Sequence, residues 1–109
     1  GNMISVHQRN DKLIPYKLVD ETDTPINVAD ADVTFIVSKY PNWREIMITK
    51  TVVKTEPTEG KIAIELTADD TDLPAGLYIY ELLLIDVDGH RYTADQGWLN
   101  IITSIGEVI

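Results

Sequence analysis

The 109-residue chain contains no cysteine. Disulfides, thiolate nucleophiles and Cys-ligated zinc are therefore excluded. Basic residues are scarce: nine Lys and Arg stand against eighteen Asp and Glu, a net charge of −9. So acidic a surface repels phosphate backbones and anionic lipid headgroups, which argues against nucleic-acid and membrane partners. Long apolar runs are also missing. The longest, residues 77–85, is interrupted by Glu81 and is too short to cross a bilayer as a helix. The first twelve residues carry His7, Arg9 and Asp11 without an apolar core, so no signal peptide is expected. The six glycines are dispersed and form no phosphate-cradling loop. Ser5, Ser38 and Ser104 lack a Gly-x-Ser-x-Gly setting, and the only histidines, His7 and His90, lack metal-ligand spacing. No cofactor is implied and no catalytic residue is nominated, so the expectation is a protein that is not an enzyme.

What is present is β-branched. Hydrophobic residues make up 44% and charged residues 25%, which suits a folded domain spanning residues 1–109. Residues 1–10 are expected as an N-terminal arm or first strand, and residues 103–109 as a tail. Residues 13–19 read as a strand with Pro15 inside it, hence an edge strand or one with a bulge. Residues 33–38 alternate with Val33, Phe35 and Val37 on one face. Residues 44–54 read as one long strand. Ile46 and Ile48 share a face there, and the adjacent Val52 and Val53 call for a bulge near Lys50. Residues 61–67 alternate most cleanly, with Ile62, Ile64 and Leu66 inward and Lys61, Ala63 and Glu65 outward. Residues 67–72 suit a single helical turn. Asp88-Gly89 reads as a tight hairpin turn between strands 77–87 and 91–102. About seven strands with no helix of useful length describe an all-β, antiparallel immunoglobulin-like sandwich.

The segment around Leu73, Gly76 and Tyr78 has the pattern of a tyrosine corner, in which the phenol folds back to bond an upstream backbone group. Gly76 is expected where the chain turns sharply and lies close to the ring. If Tyr78 points inward, period 2 puts Tyr80, Leu82 and Leu84 beside it. Leu77, Ile79, Leu83 and Ile85 then stand on the opposite face with Glu81. A solvated face is normally polar. The N-terminal segment or a long loop covers this one, or it is a subunit interface built by Leu77, Ile79, Leu83 and Ile85. Three acidic runs (Asp20, Glu21 and Asp23; Asp30 and Asp32; Asp69, Asp70 and Asp72) have the ligand chemistry for calcium but no EF-hand spacing, and read as solvated turns. Trp43 and Trp98 are either sugar-stacking platforms or partial core and interface residues.

Several stretches together carry a resemblance: residues 11–37, Gly60-Lys61-Ile62-Ala63-Ile64-Glu65-Leu66-Thr67, the run from Leu73 to Leu82, and Asp95-Gln96-Gly97-Trp98-Leu99-Asn100-Ile101-Ile102. In this order they resemble the immunoglobulin-like N-terminal domains of bacteriophage baseplate upper proteins and related tail or baseplate components. The resemblance implies a structural virion protein, made in the bacterial host cytoplasm, that forms homo-oligomers or docks to other virion proteins. The alternative is a small protein- or carbohydrate-binding module. On the interface reading, the double substitution Leu83→Lys, Ile85→Lys is expected to dissociate an oligomer without unfolding it. Light scattering reads the mass, and circular dichroism the fold.

Overall fold

The computed structural model describes residues 2–106. Two sheets face each other. The first runs β1 (Asn2–His7), β8 (Arg91–Ile102), β7 (Gly76–Ile85), β3 (Asp32–Lys39), β4 (Ile46–Thr51), in that spatial order. The second runs β2 (Lys12–Lys17), β6 (Lys61–Leu66), β5 (Val53–Glu56). This is the immunoglobulin-like arrangement of an all-β sandwich, as the sequence leads one to expect. Alternation explains the inner faces. Val33, Phe35 and Val37 of β3, Ile62, Ile64 and Leu66 of β6, and Tyr78, Tyr80, Leu82 and Leu84 of β7 are all buried in one core. Outward-facing Ala63 is also buried, flanked by Pro15 and Val53 on the neighbouring strands.

Several expectations need correction. The sandwich is not wholly antiparallel, because β1 pairs in parallel with β8 and sends Ile4 and Val6 into the core. Among the described residues there are eight strands, because residues 44–54 do not form one bulged strand. The chain leaves the first sheet at buried Val52, whose N–H donates to the Val33 carbonyl (3.2 Å), and enters the second as β5. The bulge lies not near Lys50 but where Val37 pairs with Ile48 and Ser38 with Ile46. That extra residue puts Ile48 in the core and Ile46 on the opposite face, so the two do not share a side. Finally, β7 ends at Ile85. The hairpin turn spans Asp86 to Gly89, closed by Gly89 N–H to the Asp86 carbonyl (2.9 Å), so Asp88-Gly89 is not its central pair.

The tyrosine corner forms. The Tyr78 hydroxyl donates to the Pro74 carbonyl at 2.6 Å. Burial, with Glu45 nearby, pushes the phenol up, so the hydroxyl keeps the proton it donates. Gly76 is required for its backbone, with φ at +147°, and not for closeness to the ring, because a Cβ there would meet nothing within 4 Å. Gly97 is a glycine of close approach: a Cβ there would sit 2.5 Å from the Asn2 carbonyl oxygen and 2.7 Å from the Tyr80 ring. Residues 67–72 make the expected single turn, with Thr71 N–H on the Thr67 carbonyl (3.1 Å) and the buried Thr71 hydroxyl on the Asn10 carbonyl (2.7 Å). Of the tail, residues 107–109 lie outside the described set. Ser104 is tied to the β1–β2 loop through Gln8 (3.1 Å) and Arg9 (2.7 Å). Tyr78→Phe is expected to lower stability by about 1 kcal/mol, roughly 4 °C in thermal unfolding. Gly76→Ala is expected to cost about as much through its backbone alone, despite the open space around it.

Candidate functional site

The outer face of the five-stranded sheet gathers the side chains that the core leaves over. On β7, Leu77 is 38% exposed, while Ile79, Glu81, Leu83 and Ile85 are half-buried. Strand pairing decides their company. Ile79 sits between Ser38 of β3 and Trp98 of β8. Trp98 pairs in turn with Met3, which is 57% exposed. Leu83 lies between Thr34 and Thr93, and Ile85 between Asp32 and Arg91. The four β7 positions are therefore not one uniform patch. Ile79 joins an aromatic group, whereas Leu83 and Ile85 run toward the hairpin among polar neighbours.

The loop from β3 to β4 completes that group. Tyr40 meets Trp98 edge to face, with ring centroids 5.0 Å apart. Trp43 is 61% exposed, with the Arg44 guanidinium 4.9 Å from its ring centroid. A hollow of about 470 Å³ opens beside it, lined by Trp43, Ile46, Ile36 and Ile79 and bordered by Glu81 and Arg91. The sequence singled out Trp43, Trp98 and Ile79 separately; the fold brings them to one face. Met3, Tyr40 and Ile46 were missed, because only pairing and the shifted register of β4 reveal that they belong there. The N-terminal segment does not cover the face: β1 extends the sheet at the edge of β8 instead.

A polar network at the β8 edge was also missed. The Tyr16 hydroxyl donates to Asp95 Oδ2 at 2.5 Å and lies 2.9 Å from the hydroxyl of fully buried Tyr80. Asn2 Nδ2 donates to both Tyr16 (2.9 Å) and Asp95 (3.3 Å). Burial first, then the Asp95 carboxylate, hold the Tyr16 phenol far above its ordinary value. Without proton loss at accessible pH, the network ties β2 to β7 and β8 as a structural element. The signal for it was a lone glycine, Gly97, inside an otherwise clear strand.

In two of the acidic runs a carboxylate organises its own turn. Asp20 Oδ1 accepts from Thr22 N–H (2.8 Å), Thr22 Oγ1 (2.7 Å) and Thr24 N–H (3.0 Å), donors that hold the carboxyl below its usual value. Asp70 takes the Lys50 ammonium at 2.6 Å and Thr67 N–H at 2.8 Å. Among the described residues, the three acidic or imidazole groups whose ligating atoms lie within 4.8 Å of one another are Asp86, Asp88 and His90. There Asp86 Oδ1 accepts the N–H groups of Asp88 and His90 at 2.9 Å each, which is turn chemistry. His90 Nδ1 stands 3.3 Å from Asp86, and His7 is exposed at the end of β1.

No family model and no curated protein matches the chain. Among solved structures, that of murine CRIg is similar over 94% of this chain and 92% of its own, at 9% identity and a TM-score of 0.43. The strand order itself identifies the architecture: the chain is an immunoglobulin-like β-sandwich.

Burial raises the pKa of Asp70, but Lys50 and Thr67 outweigh it and hold the carboxyl below its usual value. A depressed carboxylate contributes stability above its unfolded pKa, near 4, and loses it as pH falls through the lower folded value. Asp70→Asn is expected to remove about 1 kcal/mol at pH 7. It is also expected to flatten the acid-side decline in thermal stability measured between roughly pH 5 and pH 2.

Proposed function

We propose that the chain is a non-enzymatic structural protein of a phage or prophage virion, a tail or baseplate component that assembles through the outer face of its five-stranded sheet. Two things support this reading. The sequence resembles baseplate domains along most of its length, and β7 is apolar on the side turned away from the core. The second carries the argument. Ile79, Trp98, Tyr40, Trp43, Ile46 and Met3 form one face, and exposed apolar groups gathered in this way mark protein contacts. Aromatic residues are enriched at such contacts because they supply rigid area at low entropic cost. The acidic remainder of the surface opposes association elsewhere and so favours contact through this apolar face.

The hollow beside Trp43 favours a second reading, a small binding module that takes a protein side chain or a carbohydrate. A sugar ring would stack on the indole while Glu81, Gln96 and Arg91 supply polar contacts. The two readings separate experimentally. Ile79→Lys combined with Trp43→Ser is expected to remove association through this face, lowering the mass in light scattering to a dimer or less, while shifting the unfolding midpoint by less than about 4 °C. A mass unchanged by the double substitution would overturn the assembly reading. Saturable glycan binding by a monomer, lost in Trp43→Ser alone, would favour the module.

A further inference from the structure

A sheet that does not close on itself ends in strands whose free sides present unpaired N–H and C=O groups, and these will accept another strand unless something blocks them. The edges here are guarded unequally. On β2, Leu18 N–H donates to the Gly60 carbonyl at 2.8 Å. Hydrogen-bonded pairs alternate along an antiparallel ladder, so Pro15 is turned to the free side, where it offers no N–H, with Lys12 and Lys17 at either end of the strand. β5 is four residues long and irregular at Lys54/Glu56, and Lys54 Nζ is folded onto the carbonyls of Ala29 and Ala31. β4 has one such device, the bulge at Met47 near its start, and runs in regular register from Ile48 to Thr51. Its sequence, Ile-Met-Ile-Thr-Lys-Thr, contains no proline, and its one charge, Lys50, is held by Asp70. Val52 N–H bonds the Val33 carbonyl, so counting back, Lys50 and Ile48 face β3. Thr49 and Thr51, both exposed, direct their N–H and C=O groups outward.

Charge points to the same edge. Residues 39–54 contain Lys39, Arg44, Lys50 and Lys54 against the single acid Glu45, in a chain of net charge −9. Lys39 and Lys50 already have acidic partners, Glu45 at 3.9 Å and Asp70 at 2.6 Å. Two copies therefore approach here with little of the mutual repulsion that the rest of their surfaces imposes. β1, the other free edge of this sheet, has no Lys or Arg along it, and Asp95 lies beside its first residue.

We infer that two copies of the chain pair antiparallel through β4 and join their five-stranded sheets into one. A two-fold axis at Thr49 sets Thr49 opposite its twin, a favourable cross-strand pair, and keeps the two Lys50 side chains from standing opposite each other. This rests on the assembly reading and extends it: the joined sheet places two outer faces side by side as one docking platform.

The test measures mass by light scattering from micromolar to millimolar concentration, together with amide hydrogen exchange. Wild type is expected to form a dimer or a larger assembly of dimers. Thr49→Pro, which removes an outward N–H, is expected to halve the mass, whereas Thr49→Val is expected to leave it unchanged. Should Thr49→Pro fail to fold, wild-type exchange decides: the Thr49 and Thr51 amides are expected to lose about tenfold or more in protection on dilution to monomer. Three results would overturn the inference: a monomer throughout, a dimer whose Thr49 and Thr51 amides exchange freely, or a dimer that survives Thr49→Pro. In the last case, dissociation by Ile79→Lys would keep the docking-face reading and remove only the edge pairing. Dissociation by Ser5→Pro would assign the contact to β1.

Discussion

The structure is organised by one strand that is apolar on both sides. The inner side of β7 supplies Tyr78, Tyr80, Leu82 and Leu84, all buried, and each such side chain contributes about 1.5–3 kcal/mol when removed from water. Tyr80 is the centre of this row. Its ring lies 5.4 Å from that of Phe35 and 6.4 Å from that of Tyr16, so it joins the two sheets directly. Its hydroxyl needs a partner in the dry interior and finds one in Tyr16, which is held in turn by Asp95. Gly97 follows from that requirement, because the β8 backbone must pass close over the ring.

The outer side of the same strand cannot be satisfied in this way. β7 is flanked within its sheet by β3 and β8, so its outward residues are shielded laterally but not from above. Cross-strand neighbours bring Ile79, Leu83 and Ile85 to partial burial, and the aromatic residues of the 40–43 loop and β8 enlarge the apolar surface around Ile79. An interior row fixed by packing thus creates an exterior row in search of cover, and the proposed assembly role follows from that pairing of opposite faces.

The ends of the sandwich are held by short-range chemistry. Asp20 and Asp86 organise turns with their carboxylates, Asp70 joins its own loop to β4 through Lys50, and the Tyr78 hydroxyl closes the corner before β7. None of these groups needs a metal or a substrate to account for its contacts. Acidic residues concentrated in turns explain much of the net charge without implying a binding site.

The sequence by itself determined whatever depends on neighbours along the chain. Period-2 alternation set the inward residues of β3, β6 and β7, Pro15 marked an edge strand, and the Leu73–Gly76–Tyr78 spacing marked the corner. Only the tertiary structure decided which strand lies beside which. Alternation specifies the side a residue faces but not the strand next to it. That is why the parallel pairing of β1, the sheet change at Val52 and the reversed placement of Ile46 were not legible. The same reason governs the candidate face. Trp43, Ile79 and Trp98 are far apart in sequence and meet because β3, β7 and β8 are adjacent in space. That adjacency is set by closure of the whole core, to which no single segment holds the information.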